Sequence, residues 1–232
     1  MFHFKKFSVD DALCAMKVGT DGVLIGAWAD VEGAKHILDM GTGSGLIALM
    51  VAQRNEEAHI EAIDIDEGAV LQARNNIEAS PWRERIVVAH SDANSYTSSQ
   101  RFDHIVSNPP FFTTTLVSPD ERRAMARHCS TLSYDDIVAT AERLLTPGGR
   151  LSLILPPSEA AAFRRVAFSR LWLSRQMDVS SHRGDAPKRT MMEFVRCDEP
   201  LMPRVEDMEI YADGGGYSDK YRALTAEYYL KF

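Results

Sequence analysis

The stretch HILDMGTGSGLIALMVAQR, residues His36–Arg54, joins a strand-like run (HILDMG) to a glycine loop and then to a helix-like run (GLIALMVAQR). A strand that ends in glycines and feeds directly into a helix is the opening of a βαβ unit, and only in that context does a GxG pattern point to a nucleotide-like ligand. Glycines let the backbone pass close to the ligand, and the helix N-terminus presents free N–H groups to it.

The alternation continues downstream. HIEAID (His59–Asp64), RIVVAH (Arg85–His90), FDHIVS (Phe102–Ser107) and GRLSLIL (Gly149–Leu155) read as strands. EGAVLQARNNIEAS (Glu67–Ser80) and SYDDIVATAERLL (Ser133–Leu145) read as helices between them, the second with Asp135 and Asp136 in its first turn and TPGG (Thr146–Gly149) as its stop. Strands alternating with helices predict an α/β fold with a mostly parallel sheet. After a further helix in PPSEAAAFRRVAF, the runs LWLSRQMDVS and RTMMEFVR flank a basic loop and predict a C-terminal antiparallel hairpin. The chain closes with a glycine run and a short helix carrying Tyr221, Leu224, Tyr228 and Tyr229. No repeat or linker divides residues 1–232, so one domain is expected. Within it, residues 1–35 form an entry segment whose AMKVGTDGVLIGAWA (Ala15–Ala29) packs on the sheet at the ligand side.

Bulk properties narrow the class. With 232 residues, 45% of them hydrophobic and 25% charged, the chain can bury a substantial core. Its longest apolar runs fall far short of the ~20 residues of a membrane span, and the N-terminus lacks an apolar targeting segment. No membrane association is expected, and the compartment predicted is the cytoplasm. The three cysteines, Cys14, Cys129 and Cys197, are widely spaced, which suggests neither a disulfide framework nor a metal site. A net charge of −7 excludes a global basic field, so any nucleic-acid contact must be local. Two stretches could supply it, one with Arg122, Arg123 and Arg127, the other with Arg183, Lys188 and Arg189.

The ligand is narrowed by acids at successive strand tips. Gly41, Gly43 and Gly45 depart from the GxGxxG spacing of dinucleotide loops, and Asp39 stands two residues before the first glycine. An anionic Asp39 would repel a pyrophosphate but can pair with the cationic part of S-adenosylmethionine. Asp64, ending the next strand, is placed to accept hydrogen bonds from ribose hydroxyls, and Asp92 follows the third strand. The fourth strand ends in SNPPFF (Ser107–Phe112). An exocyclic amine on an aromatic ring is a poor nucleophile. Acceptance of its two N–H bonds by the Asn108 oxygen and the Pro109 carbonyl would aim its lone pair and favour tetrahedral character. Pro109 and Pro110 stiffen the loop, and Phe111 offers a stacking face. The motif suits methylation of a planar nitrogen: adenine N6, guanine N2 or a glutamine amide.

The set DMGTGSG, AIDID, SDAN and SNPPF resembles the class I S-adenosylmethionine-dependent methyltransferases, with a Rossmann-like sheet, and among them the N-methyltransferases with an NPP-aromatic motif. FKKFSVDDALCAMKVGTDGVLIGAWA, NNIEASPWRERI and YSDKYRALTAEYYL extend the likeness over nearly the whole chain, to the bacterial tRNA1(Val) (adenine37-N6)-methyltransferase family. The resemblance implies methyl transfer from S-adenosylmethionine, leaving S-adenosylhomocysteine, to N6 of the adenosine just 3′ of a valine tRNA anticodon. It implies tRNA as partner, with no obligate protein partner. By the same likeness Asp39, Gly41, Gly43 and Gly45 would line the methionine part of the cofactor. Asp64 with Ile65 would hold the ribose side, Asp92 with Ala93 the adenine, and Lys17, Thr20 and Asp21 would close over the cofactor. Asn108 would face cofactor and target base, with Pro109, Pro110 and Phe111 completing the catalytic loop. The aromatic is Phe111 where adenine-N6 enzymes commonly carry tyrosine, a choice also found in guanine-N2 enzymes acting on ribosomal RNA. Guanine-N2 and protein glutamine methylation therefore stay open as alternatives, beside a catalytically silent RNA-binding module.

Overall fold

The computed structural model describes residues 1–110 and 132–231. Phe111, Arg122, Arg123, Arg127 and Cys129 lie outside the described residues. A short antiparallel pair, β1 (Phe2–His3) and β2 (Ser8–Val9), precedes helix α1 (Thr20–Trp28). Then come β3 (His36–Met40), α2 (Leu46–Arg54), β4 (His59–Asp64), α3 (Glu67–Glu78), β5 (Ile86–His90) and β6 (Phe102–Ser107). The remainder is α4 (Tyr134–Leu144), β7 (Leu145–Leu155), α5 (Pro157–Ala167), β8 (Trp172–Ser180), β9 (Arg189–Val195), β10 (Arg204–Glu209) and α6 (Asp219–Thr225).

Eight strands form one sheet in the order β10-β8-β9-β7-β6-β3-β4-β5, in which β9 alone runs antiparallel to its neighbours. From β3 the chain winds outward through β4 to β5, then returns to build β6 and β7 on the other side. That reversal opens a crevice at the carboxyl ends of β3, β4 and β6, where doubly wound sheets take their ligands. The predicted mostly parallel sheet and C-terminal hairpin are both present.

The helices are specified locally. Asp66 caps α3 by accepting from the Ala69 N–H, and Ser133 and Asp136 form a reciprocal capping box on α4. Leu46–Ala52 of α2 are buried all round, because α2 lies between the sheet and α1. The close approach of those two helices explains two glycines within α1: a β-carbon at Gly26 would stand 2.9 Å from the Met50 sulfur, and one at Gly22 3.0 Å from Leu46.

Two buried clusters fill the faces of the sheet. One gathers α1, α2, α3 and the chain termini, the other α4 and α5. The entry segment is tied down by its own polar contacts, since Asn76 accepts from the Asp10 N–H and Gln72 from the Leu13 N–H. Two elements differ from expectation. β7 begins at Leu145 because Gly148 and Gly149 exchange backbone hydrogen bonds with Arg196, which carries the TPGG segment into the strand, and β10 adds an edge strand beside β8. No helix among the described residues is long and apolar enough to cross a membrane.

Candidate active site

A cavity of about 740 Å³, within the range of small-molecule sites, occupies the crevice. Its floor is the loop between β3 and α2. The N–H groups of Gly41 and Thr42 both donate to the Ile63 carbonyl at 2.9 Å, and the Gly43 N–H donates to Asp64 Oδ2 at 2.8 Å. These bonds require left-handed backbone at Gly41 (φ +76°) and Gly43 (φ +55°). A β-carbon at either would meet nothing within 4 Å among the described residues, so the loop leaves open space along its backbone.

Asp39 and Gly45 have roles other than the expected one of lining the cavity. Asp39 is 1% exposed and lies beneath the loop, with Oδ2 accepting from the Thr42 hydroxyl at 2.6 Å and the Ala48 N–H at 3.0 Å. It holds the loop to α2, whereas direct pairing with a cation in the cavity was expected. Burial, opposed by these two bonds and aided by Asp64, pushes its carboxyl up to about 7. Gly45 (φ +82°) backs onto α3, where a β-carbon would touch Ala73 at 3.4 Å.

The remaining acids do face the cavity. Asp64 ends β4, its Oδ1 accepting from the Asp66 N–H, and Asp92 follows β5, its Oδ1 accepting from the Asn94 N–H. Between them Ile65 leaves an apolar side chain 42% exposed, a flat wall beside two carboxylates. Ala93 is buried at the edge, its carbonyl accepting from Thr140 and Arg143.

Asn108, Pro109 and Pro110 form the opposite wall. The Ser107 hydroxyl donates to the Met40 carbonyl at 2.7 Å and locks the end of β6 to β3. Asn108 Nδ2 donates to the Met16 sulfur at 3.6 Å, while Oδ1 has no partner among the described residues. A buried amide oxygen without a donor is costly unless a ligand supplies one.

The entry segment closes the top. Lys17, Thr20 and Asp21 line the cavity, although the Lys17 ammonium is engaged in donating to the carbonyls of Asp11 and Cys14. Burial, with Asp64 and Asp11 nearby, pushes the Cys14 thiol up to about 11, so it stays a thiol. Of the basic residues in the β8–β9 turn, Arg183 and Lys188 are exposed and stand apart from the cavity, whereas Arg189 reaches into it and donates from Nε to Asp21 Oδ2 at 2.6 Å. Met16, Thr42, Ser107 and Asp66 belong to the site without having been singled out. Met16 sits in the AMKVGTDG run, yet no spacing rule links it to Asn108.

Fold and cavity together define a class I methyltransferase, and residues 19–162 match the methyltransferase small domain family. A predicted O-methyltransferase from Agrobacterium tumefaciens shares the fold, with TM-score 0.70, 20% identity, and coverage of 90% of this chain and 96% of that one. TrmN from Thermus thermophilus superimposes with TM-score 0.52 at 23% identity, over 70% of this chain and 44% of that one. A Phocaeicola vulgatus protein called tRNA1(Val) (adenine(37)-N6)-methyltransferase is 47% identical, across 99% of this chain and 97% of its own length. One of the same name from Tolumonas auensis is 41% identical across 99% and 97%. The chain belongs to the tRNA1(Val) (adenine(37)-N6)-methyltransferase family. S-adenosylmethionine is the cofactor of this class, and the open glycine backbone, the Asp64 and Asp92 carboxylates and the apolar Ile65 fit it.

Proposed function

We propose that this chain transfers a methyl group from S-adenosylmethionine to N6 of the adenosine at position 37 of a valine tRNA, in the cytoplasm, with residues 1–232 acting as one catalytic domain. The observation that carries the reading is Asn108 Oδ1, a buried acceptor on the cavity wall without a donor. The names of relatives at 41–47% identity supply the substrate.

Asp64 and Ile65 would hold the ribose side of the cofactor, Asp92 and Ala93 its adenine, and Gly41 and Gly43 the methionine part. Asp39 and Gly45 act indirectly, by shaping the loop. Bound S-adenosylmethionine supplies a methyl group on a positively charged sulfur. Asn108 Oδ1 accepts one N–H of the target amine and the Pro109 carbonyl the other, which localises the nitrogen lone pair toward that methyl. Methylation places positive charge on the nitrogen, which makes the departing proton acidic, so no strong base is required. Phe111 supplies a stacking face for the extruded base.

The test is transfer of labelled methyl into unmodified tRNA and, separately, ribosomal RNA, followed by nucleoside analysis. N6-methyladenosine in tRNA is expected. N2-methylguanosine in ribosomal RNA, or no RNA product despite cofactor binding, would overturn the assignment.

A further inference from the structure

Beyond the ends of β8 and β10, the strands continue to pair: Ile210 donates its N–H to the Ser180 carbonyl and Tyr211 its own to Ser181. This extension sets rings from two separate segments in one stack. His182 lies 5.3 Å from Tyr211 at 30°, Tyr211 5.5 Å from Tyr217 at 21°, and Tyr217 5.0 Å from Tyr221 at 22°. The inner end is anchored, Tyr221 being 3% exposed. At the outer end Tyr211 is 40% exposed and the His182 side chain 57%. The pairing of Tyr211 with Tyr217 follows from the bridge between those residues. His182 belongs to the β8–β9 turn instead, where Asp185 accepts from its backbone N–H and lies 3.6 Å from Nδ1, steadying the ring over Tyr211.

Resting on the tRNA reading above, we infer that the His182–Tyr211–Tyr217 stack is a platform for an unpaired base of the RNA loop that carries the target nucleotide. Position favours this occupant. β6, β7, β8 and β10 all run in one direction, so their carboxyl ends, with Asn108 and the ring stack, share one rim. Four strand steps separate β6 from β10, a lateral offset of ~19 Å at ~4.8 Å per strand, which a few extended nucleotides can bridge. Chemistry favours it as well. The turn that carries His182 also exposes the cations Arg183 and Lys188, and its last residue, Arg189, reaches into the cavity. Flat faces accept any base, and the adjacent cations suit phosphates.

The full-length protein tests this through the KM for unmodified tRNA, kcat at saturating tRNA, and S-adenosylhomocysteine affinity. Tyr211→Ala is expected to raise the KM about five- to tenfold, with the effect concentrated there, and Tyr211→Phe, which keeps the ring, to restore it. Replacing Arg183 and Lys188 together by alanine should flatten the salt dependence of tRNA binding by about one unit in log–log slope. Wild-type protein offers a second measurement: tRNA with 4-thiouridine in the anticodon loop should photocrosslink to the peptide carrying His182 or Tyr211. An unchanged KM in Tyr211→Ala, or crosslinks confined to other peptides, overturns the platform while wild-type methylation of tRNA stands. Absence of methylation by the wild type instead removes the reading on which the platform rests.

Discussion

The side-chain amide of Asn108 is tethered by one end: Nδ2 donates to the sulfur of Met16, 92 positions away in the chain, while Oδ1 is left without a donor on the cavity wall. If that oxygen orients the target amine, Asn108→Ala should lower kcat by about 10²–10³, the range found when a preorganised polar group at a reacting centre is removed. S-adenosylhomocysteine affinity should stay within about twofold. Single-turnover methylation and calorimetry separate the two, and lost cofactor affinity with intact turnover would contradict the role.

Asp64 accepts from the Gly43 N–H and also borders the cavity, so it serves both loop and ligand. Asp64→Ala should weaken S-adenosylhomocysteine binding by about tenfold or more, the scale of a lost hydrogen bond to a charged group. Unchanged affinity in a calorimetric titration would exclude Asp64 from the cofactor site.

Asp39 predicts a pH signature. Burial raises its carboxyl to about 7 in the folded chain, so the fold holds a proton that the unfolded chain releases above about pH 4. The unfolded state then binds fewer protons, and the contribution of Asp39 to stability, full below about pH 4, is lost as the pH rises through about 7. Asp39→Asn should remove that decline, visible as a flatter Tm profile between about pH 5 and 8 than the wild type shows. Identical slopes in the two proteins would assign the decline to other groups.

Arg189 and Asp21 join β9 to the first turn of α1 through a partly buried 2.6 Å contact. Breaking it by Asp21→Ala should cost about 1 kcal/mol in denaturant unfolding, above the usual value for a fully exposed pair. Exchanging the two charges by Asp21→Arg with Arg189→Asp should recover part of the loss. A double-mutant cycle with no coupling would show that the two ends are held by packing alone.

Much of the sheet was legible because β3, β4, β6 and the β8–β9 hairpin are apolar runs bounded by turn residues, and their observed limits lie within a residue or so of those read from the pattern. β10 was not, since RVEDME is a charged edge strand with only Met208 well buried. The helix α1 was hidden by Gly22 and Gly26, which lower helix propensity and earn their place only through contact with α2. In the site, spacing located the glycine loop and its acids but could not tell which side of the loop each would face. Asp39 and Gly45 turned inward, where α2 and α3 pack. The Met16–Asn108 contact depends on how the entry segment folds back over the sheet, which no local pattern encodes.

The reversed strand β9 divides the labour of the working end. A parallel strand after β8 would need a crossover, returning the chain to the far end of the sheet before it could re-enter. With β9 antiparallel, a turn suffices, and that turn, residues 181–188, emerges at the mouth of the cavity. The reach of the molecule toward a large substrate is therefore adjustable through one loop length, without disturbing the half of the sheet that shapes the small-molecule chamber.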